Sequence, residues 1–323
     1  METDNKTYLY EEYTARINNV QDYIENNLSE EFSLLKLSKI ANFSPYHFHR
    51  IFYSITRETL FQFIQRIRLE KAAFFLLANR NESITNIALK CGFSNQSSFA
   101  KAFKKNFNIS ASELRRRVGH WTKDSDCITE SNMGKVFNEV LCYNSIVRNR
   151  QEYIENRSTN ISYNVEVKTI LEMKAIYIRH TGPYKKDSVL FERLFGKLYK
   201  WANMKNLIHS TDTKWLTLCH DAPDITAEDK LRISVCMLVE EDVETSGEVG
   251  SMIIQGGKYA IGHFEINEDQ YQDAWIAMSC EWLPSSGYQP DDRLSFELYQ
   301  NIHSDKGNKQ TVDIYIPIKP LSN

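Results

Sequence analysis

Two groups of side chains have the types and the spacing needed to contact the base edges of duplex DNA. The first group is Tyr46, His49 and Arg50, whose i, i+3, i+4 spacing places them on one face of a helix. The second group lies further along the chain and consists of Gln96, Ser97, Ala100 and Lys101. Arg50 and Gln96 are the strongest candidates, because Arg pairs bidentately with guanine and Gln with adenine. His47 lies beside the first group and either contacts a phosphate or only caps the helix.

The elements that must hold these side chains are two helix-turn-helix units with the same design. In the first, Ser33 precedes a short apolar helix, and Ser44-Pro45 begins a second helix that buries Phe48 and Phe52. In the second, Ser83 begins the first helix, Gly92 forms the turn, and Phe99, Phe103 and Phe107 point inward from the next helix. A helical stripe from Tyr8 to Asn27 predicts an N-terminal helix. The segment LFQFIQRIRLEKAAFFLLAN predicts one long helix between the units, which would place two DNA readers roughly 34 Å apart.

Charge and composition limit the other classes of function. Between Leu34 and Val118 there are 15 Lys and Arg residues against 4 acidic ones, a net of +11, whereas the chain from Thr122 onward has a net of -8. This asymmetry indicates that only the first part meets a polyanion. No apolar run approaches the roughly 18 to 20 residues that span a bilayer. The polar N-terminus is unlike a targeting segment. The six cysteines form no CxxC pair, so we expect free thiols in the cytoplasm, with no metal and no cofactor.

The stretch from Ser33 to Arg117 resembles the DNA-binding domain of the AraC/XylS regulators. The matching pieces are LSKIANFSPYHFHRIF, RLEKAAFFLL, ITNIALKCGFSNQSSFAKAFKKNF and ISASELRRR. The resemblance implies an all-α double helix-turn-helix domain over residues 8–118, and its base-reading positions fall on the two groups above. The family commonly has glycine directly after the second helix of each helix-turn-helix unit, whereas this chain has Arg57 and Asn108 there. Because Arg tolerates the left-handed conformation less well than Asn, the first turn is expected to be strained or reshaped. A linker is expected over 119–160.

From Ile161 the pattern becomes α+β. The segments VEVKTILEMKAIYIRHTGPY, KWLTLCHDAP and KLRISVCMLVEE predict strands, and DSVLFERLFGKLYKWANMK predicts a helix with Val189, Leu190 and Trp201 on its apolar side. GGKYAIGHFEI, DQYQDAWIAMSCEWL, FELYQNIH and TVDIYIPIKP repeat this order. Residues 161–321 therefore predict two strand-helix-strand-strand modules, expected to form two curved sheets with a ligand cleft between them.

This second domain resembles the GyrI-like effector-binding domain through IRHTGPY, CHDAPDIT, EWLPSSGYQP and FELY. The resemblance implies that Glu297 is a buried acid that binds cationic or polar effectors, which a carboxylate among aromatic rings favours. The proposed walls, whose alternative role is core packing, are Tyr184, Trp275, Trp282 and Tyr288. The family often has two acids before the proline near 223, whereas only Asp221 is present here. His180 and His263 occupy equivalent places in the repeat and are interpreted as strand-end structure, not as a metal pair.

The sequence thus favours a multidomain transcription regulator that is controlled by a small-molecule effector, with an organic cation as the candidate class. The resemblance favours an activator over a repressor. Its expected partners are double-stranded DNA, the effector and RNA polymerase, and no membrane. One alternative is a GyrI-like hydrolase in which Glu297 acts as general base. The other is a second domain that docks a protein and takes no small ligand. The chain lacks the nucleophile, phosphate-binding and dinucleotide motifs that would support an enzyme.

Overall fold

The computed structural model describes residues 2–78, 82–120, 161–185, 187–208, 213–221, 226–300 and 309–320. The chain divides into two compact units, and each is described here by itself. The linker predicted over 119–160 lies almost wholly outside the described residues, so the predicted domain boundaries stay predictions. None of the helices in the described ranges is both long and apolar enough to cross a membrane.

The first unit is helical throughout the residues described up to 120. Its helices are α1 (Glu2–Asn26), α2 (Leu34–Ile40), α3 (Pro45–Thr56), α4 (Leu60–Ala78), α5 (Ile84–Lys90), α6 (Gln96–Phe107) and α7 (Ala111–His120). The predicted serine caps are present: Ser33, Ser44 and Ser83 each accept a hydrogen bond from the backbone N–H three residues on. Helices α2 and α3 form the first helix-turn-helix unit, α5 and α6 form the second, and α4 connects them.

The core of the first helix-turn-helix unit contains the residues that the apolar pattern predicts. Ile17, Val20 and Ile24 of α1 pack with Phe48, Phe52 and other apolar residues of α2 to α4. The apolar spacing also predicts Tyr13 of α1 and Leu34 of α2 as core residues, but both are exposed. Leu34, at the first turn of α2, is 41% exposed, and Tyr13 lies at the surface with its ring edge against Phe43. Both lie at the margin of a helix face, where periodicity cannot separate core from surface.

The turns that follow α3 and α6 are both left-handed, so the first one is strained and not reshaped. Arg57 ends α3 with φ +58°, and Asn108 ends α6 with φ +55°. The first turn therefore keeps its shape and Arg57 carries the strain, which costs about 1 to 2 kcal/mol for an L-residue. The backbone N–H of Arg57 donates to the carbonyl of Tyr53, so the helix end is satisfied despite the strain.

The second unit is an antiparallel sheet with helices. Its strands are β1 (Tyr163–Ile170), β2 (Met173–Thr181), β3 (Trp215–Cys219), β4 (Arg232–Val239), β5 (Gly250–Ile254), β6 (Gly257–Ile266), β7 (Tyr288–Pro290), β8 (Ser295–Tyr299) and β9 (Gln310–Pro320). Helix α8 (Ser188–Met204) follows β2. Helix α9 (Tyr271–Ile276) follows β6 and continues through a π-helical segment (Ala277–Trp282) into a last turn (Leu283–Ser285). The two predicted modules are therefore present, and β5 and β7 are additions that the sequence pattern did not indicate.

The two modules join into one sheet, which corrects the prediction of two curved sheets. The strand order is β1-β6-β9-β8-β3-β4-β2-β5, and β7 pairs with β9. The order is symmetric about the β3–β8 pair, where the β3 and β8 strands run antiparallel with Thr217 opposite Glu297. Each module also receives an outer strand from the chain that precedes the other, since β1 pairs with β6 and β5 with β2. In two separate sheets, β3 and β8 would each be an edge strand with unpaired backbone groups. Pairing the two strands satisfies those groups and joins the modules.

Apolar residues on both sides of the sheet are buried. Ile314, Ile316, Ala274 and Met278 belong to the cluster beneath α9, while Tyr177, Tyr259 and Phe296 belong to the cluster on the opposite face. Helix α8 buries Leu190, Leu194, Leu198 and Ala202. Val189, which we predicted on that apolar side, is 72% exposed, because it lies at the first turn of α8 and only one of two adjacent residues can face the sheet.

Candidate functional site

The first reading face is the exposed side of α3 formed by Tyr46, His49 and Arg50. All three are exposed, whereas Phe48 and Phe52 on the opposite side are fully buried. The Nη1 of Arg50 donates to the hydroxyl of Tyr46 at 3.2 Å, and the guanidinium lies 5.7 Å from the centre of the Tyr46 ring. Tyr46 therefore holds the guanidinium of Arg50 in one orientation at the surface.

His47 lies next to this face rather than in it. Its backbone N–H donates to the Oγ of Ser44 at 3.4 Å, which satisfies the first turn of the helix. Its ring is exposed and meets the Tyr46 ring edge-on at 5.5 Å. The backbone of His47 thus takes part in the N-cap, and its imidazole remains accessible to a phosphate.

The second reading face is the exposed side of α6 formed by Gln96, Ser97, Ala100 and Lys101. All four are exposed, and Phe99 and Phe103 behind them are fully buried. The helix begins at Asn95, whose side chain accepts the backbone N–H of Ser98 at 2.8 Å. The Oγ1 of Thr85, in α5, donates to the Oε1 of Gln96 at 3.1 Å. This contact holds the amide oxygen of Gln96 beside α5.

The effector candidate, Glu297, lies in the middle of β8 and is buried. The indole Nε1 of Trp275 donates to its Oε1 at 2.6 Å. The hydroxyl of Tyr299 donates to its Oε2 at 2.8 Å and lies 2.9 Å from the Oγ1 of Thr217. Helix α9 thus supplies one donor to the carboxylate, and the sheet supplies the other.

The electrostatics of this site are those of an acid removed from water. Burial raises the pKa of the Glu297 carboxyl, and the hydrogen bonds from Trp275 and Tyr299 oppose that rise only in part. Burial, together with the nearby charge of Glu297, also raises the pKa of the Tyr299 and Tyr271 hydroxyls. Among the described residues, no Lys, Arg or His forms an ion pair with Glu297. The carboxylate therefore has neutral donors but no cation.

Glu297 lies at the centre of the repeat, on the side of the sheet where both helices pack. Its cross-strand neighbour Thr217 is the equivalent residue of the first module. The ring of Phe195 in α8 meets the Tyr299 ring edge-on at 5.7 Å, and it meets Trp215 at 6.1 Å. Residues from both modules therefore surround the carboxylate, and neither module alone could form the site.

The four predicted wall residues lie in different places. Trp275 contacts Glu297 directly. Trp282 and Tyr288 pack against the apolar cluster beneath α9, and the Nζ of Lys258 lies 5.6 Å from the Tyr288 ring. Tyr184, in the loop after β2, meets the ring of Phe191 edge-on at 6.4 Å. A wall role for these last three residues stays a prediction.

Sequence analysis missed Tyr299 and Thr217. Tyr299 could have been found, because it is two residues from Glu297 on the same strand and so points to the same face. Thr217 could not, because the register that brings β3 beside β8 joins residues that are 80 apart in the chain.

Three other polar side chains in this unit, Asp221, His263 and His180, contact groups within the unit. The carboxylate of Asp221 is held by the backbone N–H and the guanidinium of Arg232, with the two side chains almost fully buried. The ring of His263 pairs with Asp313 at 2.7 Å, whereas His180 contacts the carbonyl of Pro183. The two histidines therefore have different partners. His180 lies at the end of β2, as the strand-end interpretation expected, whereas His263 lies inside β6 and pairs with strands on both sides, so that interpretation is wrong for His263.

Comparison with known proteins agrees with this division of the chain. The family described as GyrI-like small molecule binding domain matches residues 163–319, and a helix-turn-helix domain family matches residues 37–117. A DNA gyrase inhibitor of Erwinia billingiae is 29% identical over 158 residues, which are 48% of this chain and 97% of that protein. The TetD protein of transposon Tn10 from Escherichia coli is 36% identical over 104 residues, 32% of this chain and 75% of that protein. The chain belongs to the DNA-binding regulators that combine an AraC-type helix-turn-helix domain with a GyrI-like domain.

Other relatives share only part of their length with this chain. The transcriptional activator RhaR of Mannheimia succiniciproducens is 32% identical over 103 residues, which are 32% of this chain and 37% of RhaR. A solved structure titled as the EcmrR–DNA complex covers 84% of this chain and 99% of that chain, at 15% identity and a TM-score of 0.44. The effector and the polymerase contact of this chain are therefore matters for proposal.

Proposed function

We propose that the protein is a transcription activator that binds duplex DNA through its two reading faces and responds to an organic cation at Glu297. One observation supports the DNA-binding part of the proposal. The equivalent helices α3 and α6 each have an N-cap, a buried apolar side and an exposed polar side. Arg50 and Gln96, each held by a neighbouring side chain, are the residues we assign to base contacts. RNA polymerase is the partner that an activator at a promoter requires.

The effector part is supported by the state of the Glu297 carboxylate. A buried ionised acid is costly unless an opposite charge compensates it. Its described partners are an indole and a phenol, which donate hydrogen bonds but bring no charge. An organic cation would supply that charge, and the rings of Trp275, Tyr299 and Phe195 would supply cation–π contacts. We infer that the ligand class is a flat or compact cation with apolar substituents.

A hydrolytic role for this site is less well supported. Both carboxylate oxygens of Glu297 accept a hydrogen bond, and these bonds favour the ionised form, so they weaken the carboxylate as a base. Burial and the charge of Glu297 raise the pKa of the Cys219 thiol, which keeps this thiol in its weakly nucleophilic protonated form. We therefore propose binding without turnover. Steady product formation from a panel of esters and amides, lost in Glu297→Gln, would reverse this choice.

The experiment that tests the proposal has two parts. In the first, the full chain selects duplexes from a randomised pool, and recovery of a common sequence motif is expected. In the second, thermal unfolding of the full chain is followed with quaternary ammonium and amidinium ions, each compared with a neutral compound of the same shape. A ligand at a hundred times its Kd stabilises the folded state by about 2.7 kcal/mol.

The variant Glu297→Gln, which retains the size of the side chain, should lose this stabilisation. Selection of a DNA motif with no response to any cation would instead support a second domain that docks a protein. Failure to select any motif would contradict the DNA-binding role itself.

A further inference from the structure

The turns inside the two helix-turn-helix units have the same backbone but different residues. In the first, Asn42 has φ +56°, and the N–H of Phe43 donates to the carbonyl of Ser38 at 2.9 Å. In the second, Gly92 has φ +81°, and the N–H of Phe93 donates to the carbonyl of Ala88 at 3.0 Å. Because an asparagine serves at position 42, the left-handed conformation alone does not require glycine at position 92.

The space beside Gly92 is what requires glycine. A Cβ at this position would lie 2.7 Å from the Nε and Cζ of Arg68, and closer still to the carbonyl oxygen of Leu28. Arg68 belongs to α4, and Leu28 belongs to the segment between α1 and α2. The turn of the second unit therefore packs directly onto a contact between the connecting helix and the lead-in to the first unit.

Arg68 contacts the segment between α1 and α2 through several groups of its guanidinium. Its Nε donates to the carbonyl of Leu28 at 3.0 Å, and its Nη2 donates to the carbonyl of Glu30 at 2.7 Å. The guanidinium also lies 5.5 Å from the centre of the Phe32 ring. The N–H groups of a guanidinium point in fixed directions. Because this one binds two carbonyls and a ring at once, it holds the segment from Leu28 to Phe32 in one position.

That segment is in turn fixed to the first helix-turn-helix unit. The carboxylate of Glu30 forms an ion pair with Lys36 of α2 at 2.7 Å, and it accepts the hydroxyl of Tyr23 at 2.9 Å. Hydrogen bonding to Lys36 and Tyr23 lowers the pKa of the Glu30 carboxyl. Contacts thus run without a break from Gly92, at the turn before α6, through Arg68 to α2, which supports α3.

We propose that Arg68 is a positioning residue that fixes the separation of the two reading faces on DNA. This inference rests on the proposed DNA-binding function and adds that the spacing of the two half-sites is set by this contact, in addition to helix α4. Two readers on one side of B-DNA must lie about one turn, roughly 34 Å, apart. A rigid link favours one spacing strongly, whereas a flexible link accepts neighbouring spacings at a lower effective concentration.

The test uses the full chain and the duplex that the wild type selects. Binding is measured on that duplex and on versions with one or two base pairs inserted or removed between the two half-sites. We expect the wild type to lose at least about tenfold in affinity with a one-base-pair change. Arg68→Ala should bind the optimal duplex more weakly and should lose less than about threefold when the spacing changes.

Matched variants separate the clamp from charge and from the turn conformation. Arg68→Lys keeps the charge but lacks the rigid fork that binds the two carbonyls through Nε and Nη2, so it should show the flattened spacing profile. Gly92→Asn should do the same, because its Cβ would force apart the carbonyl of Leu28 and the guanidinium of Arg68, whereas Asn42→Gly at the equivalent turn should keep the wild-type profile. Circular dichroism checks the folding of every variant, and if Arg68→Ala does not fold, the conservative variant Arg68→Lys decides the question.

Two results would overturn the inference. One is a spacing profile in the variants as steep as that of the wild type. The other is an equal loss of affinity at every spacing with a salt dependence reduced by about one unit, which would make Arg68 a phosphate contact. Failure of the wild type to select a duplex is a different result, because it contradicts the proposed function before any variant is compared.

Discussion

The hydrogen bond from Trp275 to Glu297 gives the sharpest prediction about the second unit. Trp275→Phe keeps a six-membered ring in place but removes the Nε1–H that lies 2.6 Å from the carboxylate. A hydrogen bond to a charged group contributes roughly 1.5 to 3 kcal/mol. We expect the free energy of unfolding to fall by about 2 kcal/mol, plus the cost of the lost ring volume.

A double-mutant cycle with Glu297→Gln separates these two costs. The volume lost on Trp275→Phe is the same in both backgrounds, whereas the bond to a charged carboxylate exists only in the wild-type background. The coupling energy should therefore be about 1 kcal/mol, because the amide oxygen in Glu297→Gln can still accept a weaker, neutral hydrogen bond. Trp282→Phe is the matched control, because Trp282 follows on the same helical segment and makes no described contact with Glu297. Its cycle with Glu297→Gln should give a coupling near zero.

The pH dependence follows from the raised pKa of Glu297. Because burial makes the folded state bind this proton more tightly than the unfolded state does, wild-type stability should decrease as pH rises from the ordinary glutamate pKa through the raised one. Glu297→Gln should lack this decrease. The bond from Trp275 favours the ionised carboxylate, so the cost of Trp275→Phe should be largest at high pH and should shrink as Glu297 becomes protonated.

Urea unfolding at a series of pH values, followed by tryptophan fluorescence, measures these quantities. Four of the five tryptophans lie beyond residue 160, so the signal reports mainly on the second unit. A coupling energy below about 0.5 kcal/mol, which is the ordinary deviation from additivity, would refute the reasoning. So would a cost of Trp275→Phe that is the same at every pH.

Three further predictions concern single residues. Arg57→Gly should raise the melting temperature of the first unit, because it relieves about 1 kcal/mol of left-handed strain, whereas Arg57→Ala should not. Asp221→Asn should cost about 3 kcal/mol or more in urea unfolding, since it leaves the buried guanidinium of Arg232 without its charge partner; a loss below 1 kcal/mol contradicts this. Arg50→Ala should relax discrimination at one base pair by about 1 to 3 kcal/mol with no change at the others, and an unchanged selected motif counts against its role.

The sequence by itself determined the features that depend on local chemistry. The serine caps, the left-handed turn residues and the alternation of buried and exposed positions place the reading faces of α3 and α6 on the outside. These features are predictable because each is decided by hydrogen bonds and packing within a few residues along the chain. The repeated strand-helix-strand-strand order was visible for the same reason. The acid at position 297 was found from a resemblance, not from a pattern of its own.

Only the tertiary structure decided how those pieces combine. Whether two modules form two sheets or one depends on the pairing of β3 with β8, and no local pattern records it. That pairing brings Thr217 opposite Glu297 and lets donors from a distant helix and a neighbouring strand meet one carboxylate. In the first unit, the reason for glycine at 92 is Arg68, which is 24 residues away in sequence and adjacent only after folding. Contacts between distant parts of the chain depend on the packing of the whole unit, which local periodicity does not encode.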